Sequence, residues 1–259
     1  MSTIEAEARY TSNVTLYSSF GIIDRNIHFI DMGLLPDVLT LSAWREILLE
    51  DPTQHRFIWN SLILTIPIVL GNLIIAPLAA YGFERLRMIH KEKLFIAYVI
   101  VMILPMQALL VPHFIAASFF GIEGNYLAII LPAIFAPFGV FLIRQHIKSV
   151  DKEIMEAANV DGASEIVIFL KIVLPNVKST MIALTVLTFA ESWNIVDQAV
   201  VFIREAREMP MSVHLSTAFT IDNIGIVFAV SSLFMIPALI IFIYGQDHMA
   251  DGIGYSGIK

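Results

Sequence analysis

Glu191, Trp193, Asn194, Asp197 and Gln198 lie close together in a stretch, Thr180 to Phe202, that is otherwise largely apolar. Carboxylates and amides hydrogen-bond hydroxyl groups, and a tryptophan face stacks on the apolar side of a pyranose ring. An ionisable group at membrane depth costs about 2.5 to 3.5 kcal/mol on insertion scales, so by default it faces a bundle interior or a watery cavity. The five residues therefore fit a path for a hydroxylated solute. Interhelical hydrogen bonding with an interfacial tryptophan accounts for them without a ligand, and Asp197 is close enough to the end of the stretch to be solvated. Asn72, Gln107 and His113 are weaker candidates, because single polar groups in apolar helices more often hold helices together.

Other chemistries find less support. Glu191, Asp197, His113 and His214 could in principle serve acid–base or metal chemistry, but nothing gives them ligand spacing. There are no cysteines, which excludes thiolate zinc sites, disulfides and cysteine nucleophiles. No Gly-x-x-x-x-Gly-Lys-Ser/Thr loop occurs, so no ATP site of that kind is expected. A formal net charge of -7 argues against a nucleic-acid partner. No catalytic residue, resident metal or cofactor is assigned.

A second constellation lies between residues 151 and 175. Ile154, Met155, Ala158 and Val160 suggest one short helix, Gly162 allows a positive-φ turn, and Ile166, Phe169, Leu170 and Val173 give a second amphipathic helix ending near Pro175. Such an elbow could dock a partner at a membrane surface.

These residues must be positioned by elements that live in lipid. The chain is 57% hydrophobic and 15% charged, with a mean hydropathy of +0.76. A hydrocarbon core about 30 Å thick takes about 20 helical residues to cross. Five segments qualify: Ile58 to Phe83, Leu94 to Phe120, Tyr126 to Ile143, Thr180 to Phe202 and Ile224 to Tyr244. Backbone groups in lipid must pair within a segment, and no alternating barrel pattern occurs, so an all-α integral membrane protein is expected. Arg85, Arg87, Lys91 and Lys93 in one connection, and Arg144, Lys148, Lys152, Lys171 and Lys178 in another, make those loops cytoplasmic. By parity the carboxy terminus is cytoplasmic. The expected organisation is an extracytoplasmic region over 1–56, a transmembrane domain over 57–246 with a cytoplasmic loop over 144–178, and a tail over 247–259. Residues 1–56 show no signal-peptide pattern.

Glu156-Ala157-Ala158, then Asp161-Gly162-Ala163, then Leu174-Pro175, resembles the EAA loop of the permease subunits of binding-protein-dependent ABC importers. Asn60-Ser61-Leu62, Ala80-Tyr81-Gly82-Phe83 with Arg85, Trp193-Asn194, and the end Gly252-Ile253 to Gly257-Ile258-Lys259 narrow the resemblance to the carbohydrate type, similar to the smaller permease of the maltose importer. The resemblance implies a type I helical bundle and an ATPase-coupling role for Glu156, Ala157, Ala158, Asp161, Gly162, Ala163 and Pro175. It implies as partners an ATPase subunit dimer that binds ATP and Mg, a second permease, an extracytoplasmic sugar-binding protein and membrane lipid, in a bacterial or archaeal cell membrane. The family usually places a further helix before the first of these five spans; residues 1–56 show none. Import of a non-sugar solute such as a glycerol phosphate, and a non-transporting assembly role, are the alternatives.

Overall fold

The computed structural model describes residues 42–85, 89–217 and 224–254, and every regular element among them is helical. Most of the expected outward amino-terminal region and the Gly257-Ile258-Lys259 end lie outside the described residues. In chain order the helices are α1 (Ser42–Arg45, continued by a wide turn at Glu46–Glu50), α2 (Pro52–Arg85), α3 (Lys91–Val101), α4 (Met106–Phe119), α5 (Leu127–Ile134), α6 (Pro137–Ser149) and α7 (Lys152–Val160). They continue with α8 (Glu165–Asn176), α9 (Lys178–Trp193), α10 (Asp197–Phe202), α11 (Met211–Thr217) and α12 (Ile224–Gly254).

Among the described residues three helices are long and apolar enough to cross a membrane: Thr53–Arg85, Leu127–Ser149 and Gly225–Asp247. Two bent pairs bring the number to five if each pair forms one crossing. The expected second span, Leu94 to Phe120, is sharply bent: α3 and α4 meet at 104°. Pro105 is the reason, since it has no N–H and disfavours helical geometry at Leu104. The chain leaves α3 through tight turns in which Met102, Ile103 and Leu104 each donate three residues back, and restarts after Pro105 with ψ at 138°. The expected fourth span, 180–202, is interrupted at 194–196 between α9 and α10. The helix of the first expected span, α2, begins at Pro52, earlier than expected, and the last runs on to Gly254.

Internal contacts divide the chain into residues 1–55 with 215–233 and residues 56–214 with 234–259. In the first unit Asp51 opens α2, its carboxylate accepting from Thr53 N at 2.9 Å and Gln54 Nε2 at 3.1 Å. The second unit holds the candidate functional residues. One of its cores gathers Ala80 and Tyr81 from α2, Phe95 from α3, Ile143 and Ile147 from α6, Met155 from α7 and Ile168 and Val173 from α8. Another, farther along α2, gathers Leu64 and Ile68 with Ala117, Ile129 and Phe202. Helix α12 approaches α9 at Gly245, where an added Cβ would sit 2.2 Å from Val186 Cγ2.

The first of these cores contains a charge. The Arg144 side chain is completely buried; its Nη2 lies 2.6 Å from Glu92 and its Nε 3.4 Å from Glu84. Its guanidinium carbon stands 3.9 Å from the centre of the Phe95 ring. Three helices, α2, α3 and α6, thus converge on one cation. Removing one partner of a buried pair leaves the other charge uncompensated, at a cost of about 3–5 kcal/mol. Arg144→Met should lose that much in chemical unfolding of the detergent-solubilised protein. Adding Glu84→Gln should recover much of the loss, because Glu84 is the less exposed of the two acids.

Candidate functional site

The elbow forms as the spacing predicts. Asp151 caps α7 by accepting from Glu153 N at 3.3 Å. The helix ends where Gly162, at φ 81°, turns the chain; Gly162 N donates to Asn159 O and Ala163 N to Ala158 O, both at 3.0 Å. Ser164 Oγ then caps α8 by accepting from Val167 N at 3.4 Å. No side chain fills the space at Gly162, so glycine is required there by backbone conformation.

The elbow has two faces. Met155 is buried in the first core, with Ala158 and Ala163 packed against it. Glu156, Ala157, Asp161, Gly162 and Pro175 are exposed. The structure therefore divides the expected coupling set: Ala158 and Ala163 seat the elbow on the spans, and the other five face outward. Beside them Ile154, Val160 (88% exposed), Ile166 and Leu170 form an apolar surface with no covering partner among the described residues.

One contact ties the elbow to the first span. Arg85 Nη2 donates to Glu165 Oε1 at 2.7 Å, Arg85 Nε donates to Glu165 Oε2 at 3.2 Å, and the Tyr81 hydroxyl donates to the same carboxylate. Tyr81 and Arg85, one helical turn apart, thus present a three-donor fork to the first residue of α8. Glu165, which makes this contact, is not singled out by the sequence reading. Its one signal was an acid directly after the capping Ser164, where the helix dipole favours negative charge.

A cavity of about 500 Å³ opens among α2, α3, α4, α5, α6, α9 and α10. Its polar wall includes Asn72, Tyr98, His113, Thr188, Glu191 and Gln198. Of the five residues expected on a solute path, only Glu191 and Gln198 line it. Asp197 accepts from Gln107 Nε2 at 3.0 Å, and Asn194 Nδ2 turns back to Ala190 O at 2.8 Å. Trp193 requires a correction. It is 1% exposed and sandwiched between Phe189 and Phe234, each ring centre 5.2 Å away at 17°, and its Nε1 donates to Phe234 O at 3.0 Å. With both faces covered, it offers no platform to a sugar in this conformation. Tyr98 and Thr188 were not anticipated; a tyrosine or threonine in a span carries no pattern of its own. Of the other polar residues weighed, His214 stacks on Phe57 at 4.4 Å and Asp197 accepts from Gln107.

Residues 57–254 match a sequence family described as "Binding-protein-dependent transport system inner membrane component". The chain belongs to that family. It is 30% identical over 226 residues to the arabinooligosaccharides transport system permease protein AraQ of Halalkalibacterium halodurans, covering 86% of this chain and 81% of that one. It is 29% identical over 198 residues to the lactose transport system permease protein LacG of Rhizobium radiobacter, covering 75% and 72%. A crystal structure of a bacterial ABC transporter involved in the import of the acidic polysaccharide alginate contains a chain of the same fold: TM-score 0.72, 20% identity, 95% of this chain and 98% of that one. The permease is thus a multi-pass component of a membrane transport system.

Hydrogen bonds from Arg85 and then Tyr81 hold the Glu165 carboxyl below its usual range. Such a carboxylate stabilises the fold above its unfolded value of about 4.3, and that contribution is lost as pH falls through the lowered folded value. The Glu165 side chain is 58% exposed, so solvent screening limits the effect to about 1 kcal/mol or less. Glu165→Gln should be slightly less stable than the parent at pH 7. Thermal unfolding curves of the two should converge as pH drops below the usual carboxylate range.

Proposed function

We propose that this permease is the transmembrane subunit of an ATP-binding-cassette importer for a sugar, an oligosaccharide or polyol, driven by ATP hydrolysis in a separate subunit. The observation that carries the reading is the exposed elbow: an acidic and small-residue surface flanked by bare apolar side chains, held on the spans by its buried face. Family membership and relatives described as arabinooligosaccharide and lactose transport permeases support the sugar assignment.

In this reading the elbow lies in the cytoplasm, as does the carboxy terminus, and α7 seats in a cleft of the ATPase. The ATPase binds ATP and Mg; the exposed apolar side chains and Ala157 give close contact, and Glu156 pairs with a basic residue at a partly desolvated rim. Asp161 and Gly162 set the turn, and Pro175 ends the second arm. Closure of the ATPase pair moves the elbow, and the Glu165 fork passes that movement to the first span. A second permease completes the path, and an extracytoplasmic sugar-binding protein delivers the solute. Glu191 and Gln198 supply acceptors and donors for sugar hydroxyls along this subunit's wall.

The test is import into proteoliposomes of the complete complex, using labelled neutral oligosaccharides with the binding protein. A β-branched side chain is strained at a positive φ, so Gly162→Val should assemble yet import at least about tenfold less per ATP hydrolysed, in the range usual for lost coupling. Full coupling in an assembled Gly162→Val complex would reject the elbow as the ATPase contact. On the solute side, Gln198→Leu should raise the half-saturating solute concentration more than Asn194→Leu does, since Asn194 faces away from the cavity. The reverse order would move the path off this cavity.

A further inference from the structure

Helix α2 is gripped at both ends. At the elbow end the grip is the Tyr81–Arg85 fork on Glu165. At the other end Asn60 Nδ2 donates to Arg207 O at 2.9 Å and to Met209 O at 3.0 Å, and the neighbouring Ser61 Oγ accepts from Met211 N at 2.9 Å. Asn60 and Ser61 are 6% and 1% exposed. The stretch they hold is a single tight turn, Ala206–Glu208, followed by extended backbone through Met209. Its carbonyls have no helical ladder to enter, and a buried carbonyl without a donor is costly. Glu208 O, between the two that Asn60 serves, takes the Tyr126 hydroxyl at 2.8 Å.

The held stretch leads to the cavity. Ser212, the residue after Met211, donates from its hydroxyl to Ile195 O at 2.5 Å, inside the break between α9 and α10. Ile195 lines the cavity, together with Ser192 before the break and Gln198 after it. From Asn60 to Tyr81 the helix runs about 32 Å and stays helical through Pro67 and Pro77. A continuous run of named contacts thus joins the elbow to the far wall of the cavity: Glu165, the fork, the body of α2, Asn60 and Ser61, residues 207–211, Ser212 and the break at 194–196.

The geometry points to α2 as a tie rod, with Asn60 and Ser61 as positioning residues that make the cavity's far wall follow the elbow. This rests on the transport reading above. A displaced α8 pulls α2 along its length; α2 carries 207–211 with it, and Ser212 shifts the broken segment that borders the solute. Asn60 and Ser61 touch no solute and contribute only through what they hold.

A double-substitution cycle on the complete reconstituted importer tests this, with import per ATP hydrolysed as the readout, a ratio that lowered yield alone does not move. Asn60→Ala removes both donations at one end, and Glu165→Gln weakens the fork at the other. Lesions more than about 10 Å apart and independent combine additively in free energy, so their fold-effects multiply. If α2 links them, either lesion already breaks the rod. Single losses of about tenfold each should then give a double variant also down about tenfold. A double variant down about a hundredfold, or single variants with an unchanged ratio, would overturn the proposal. Should Asn60→Ala not assemble, Ser61→Ala, which removes only the acceptor for Met211 N–H, takes its place with the same outcomes. The unmodified complex is run alongside. No import by it rejects the transport reading itself, whereas import by it with multiplying lesions rejects the rod alone.

Discussion

A carbonyl released from a membrane helix has no water to turn to, and this constraint shapes several of the long-range contacts in the second unit. Several breaks in the helices are met by a side-chain donor from elsewhere in the chain. Pro137 cannot donate to Ala133 O, and Asn72 Nδ2 does so at 3.2 Å. Phe135 O, at the gap between α5 and α6, takes the Tyr98 hydroxyl at 2.9 Å. Ile195 O takes Ser212, and Arg207, Glu208 and Met209 take Asn60 and Tyr126. The breaks are therefore fixed positions whose donors decide which helices lie beside them. Asn72 illustrates the point: it lines the cavity with its Nδ2 committed to Ala133 O, while its Oδ1 is buried without a partner.

The elbow obeys a different balance. Its buried face uses apolar contact with the spans, while the Glu165 fork adds direction more than strength, since a half-exposed ion pair contributes little. Three donors aimed at one carboxylate specify where α8 must start and in what orientation. Nearby, Arg144 is a charge held in an apolar core by two acids and a ring. Such an arrangement gains little over a hydrophobic substitute of equal volume, so its worth lies in bringing α2, α3 and α6 to one point.

Much of this was legible in the sequence because its periods are unambiguous. Uncharged runs marked the spans, and an apolar stripe broken by a glycine marked the elbow, down to the positive φ at Gly162. Residues whose role depends on who meets them were not legible. Glu165 gives no local hint that Tyr81 and Arg85 will arrive opposite it. Trp193 beside Asn194 in a polar cluster pointed to solute; the aromatic neighbours that cover it are Phe189, one turn earlier on the same helix, and Phe234, supplied by a distant one. The break falls at Pro105, but the size of the bend depends on how α3 and α4 find separate partners, Phe95 in one core and Ala117 in another.

The close approach of α12 to α9 at Gly245 has an evolutionary corollary. With no room for even a methyl group beside Val186, Gly245 cannot enlarge while Val186 stays as it is. A lineage that gained an alanine at 245 would have to trade Val186 for something smaller in the same interval, or let the last helix slide out of register. The contact thus sets an upper limit on the summed volume at these two sites.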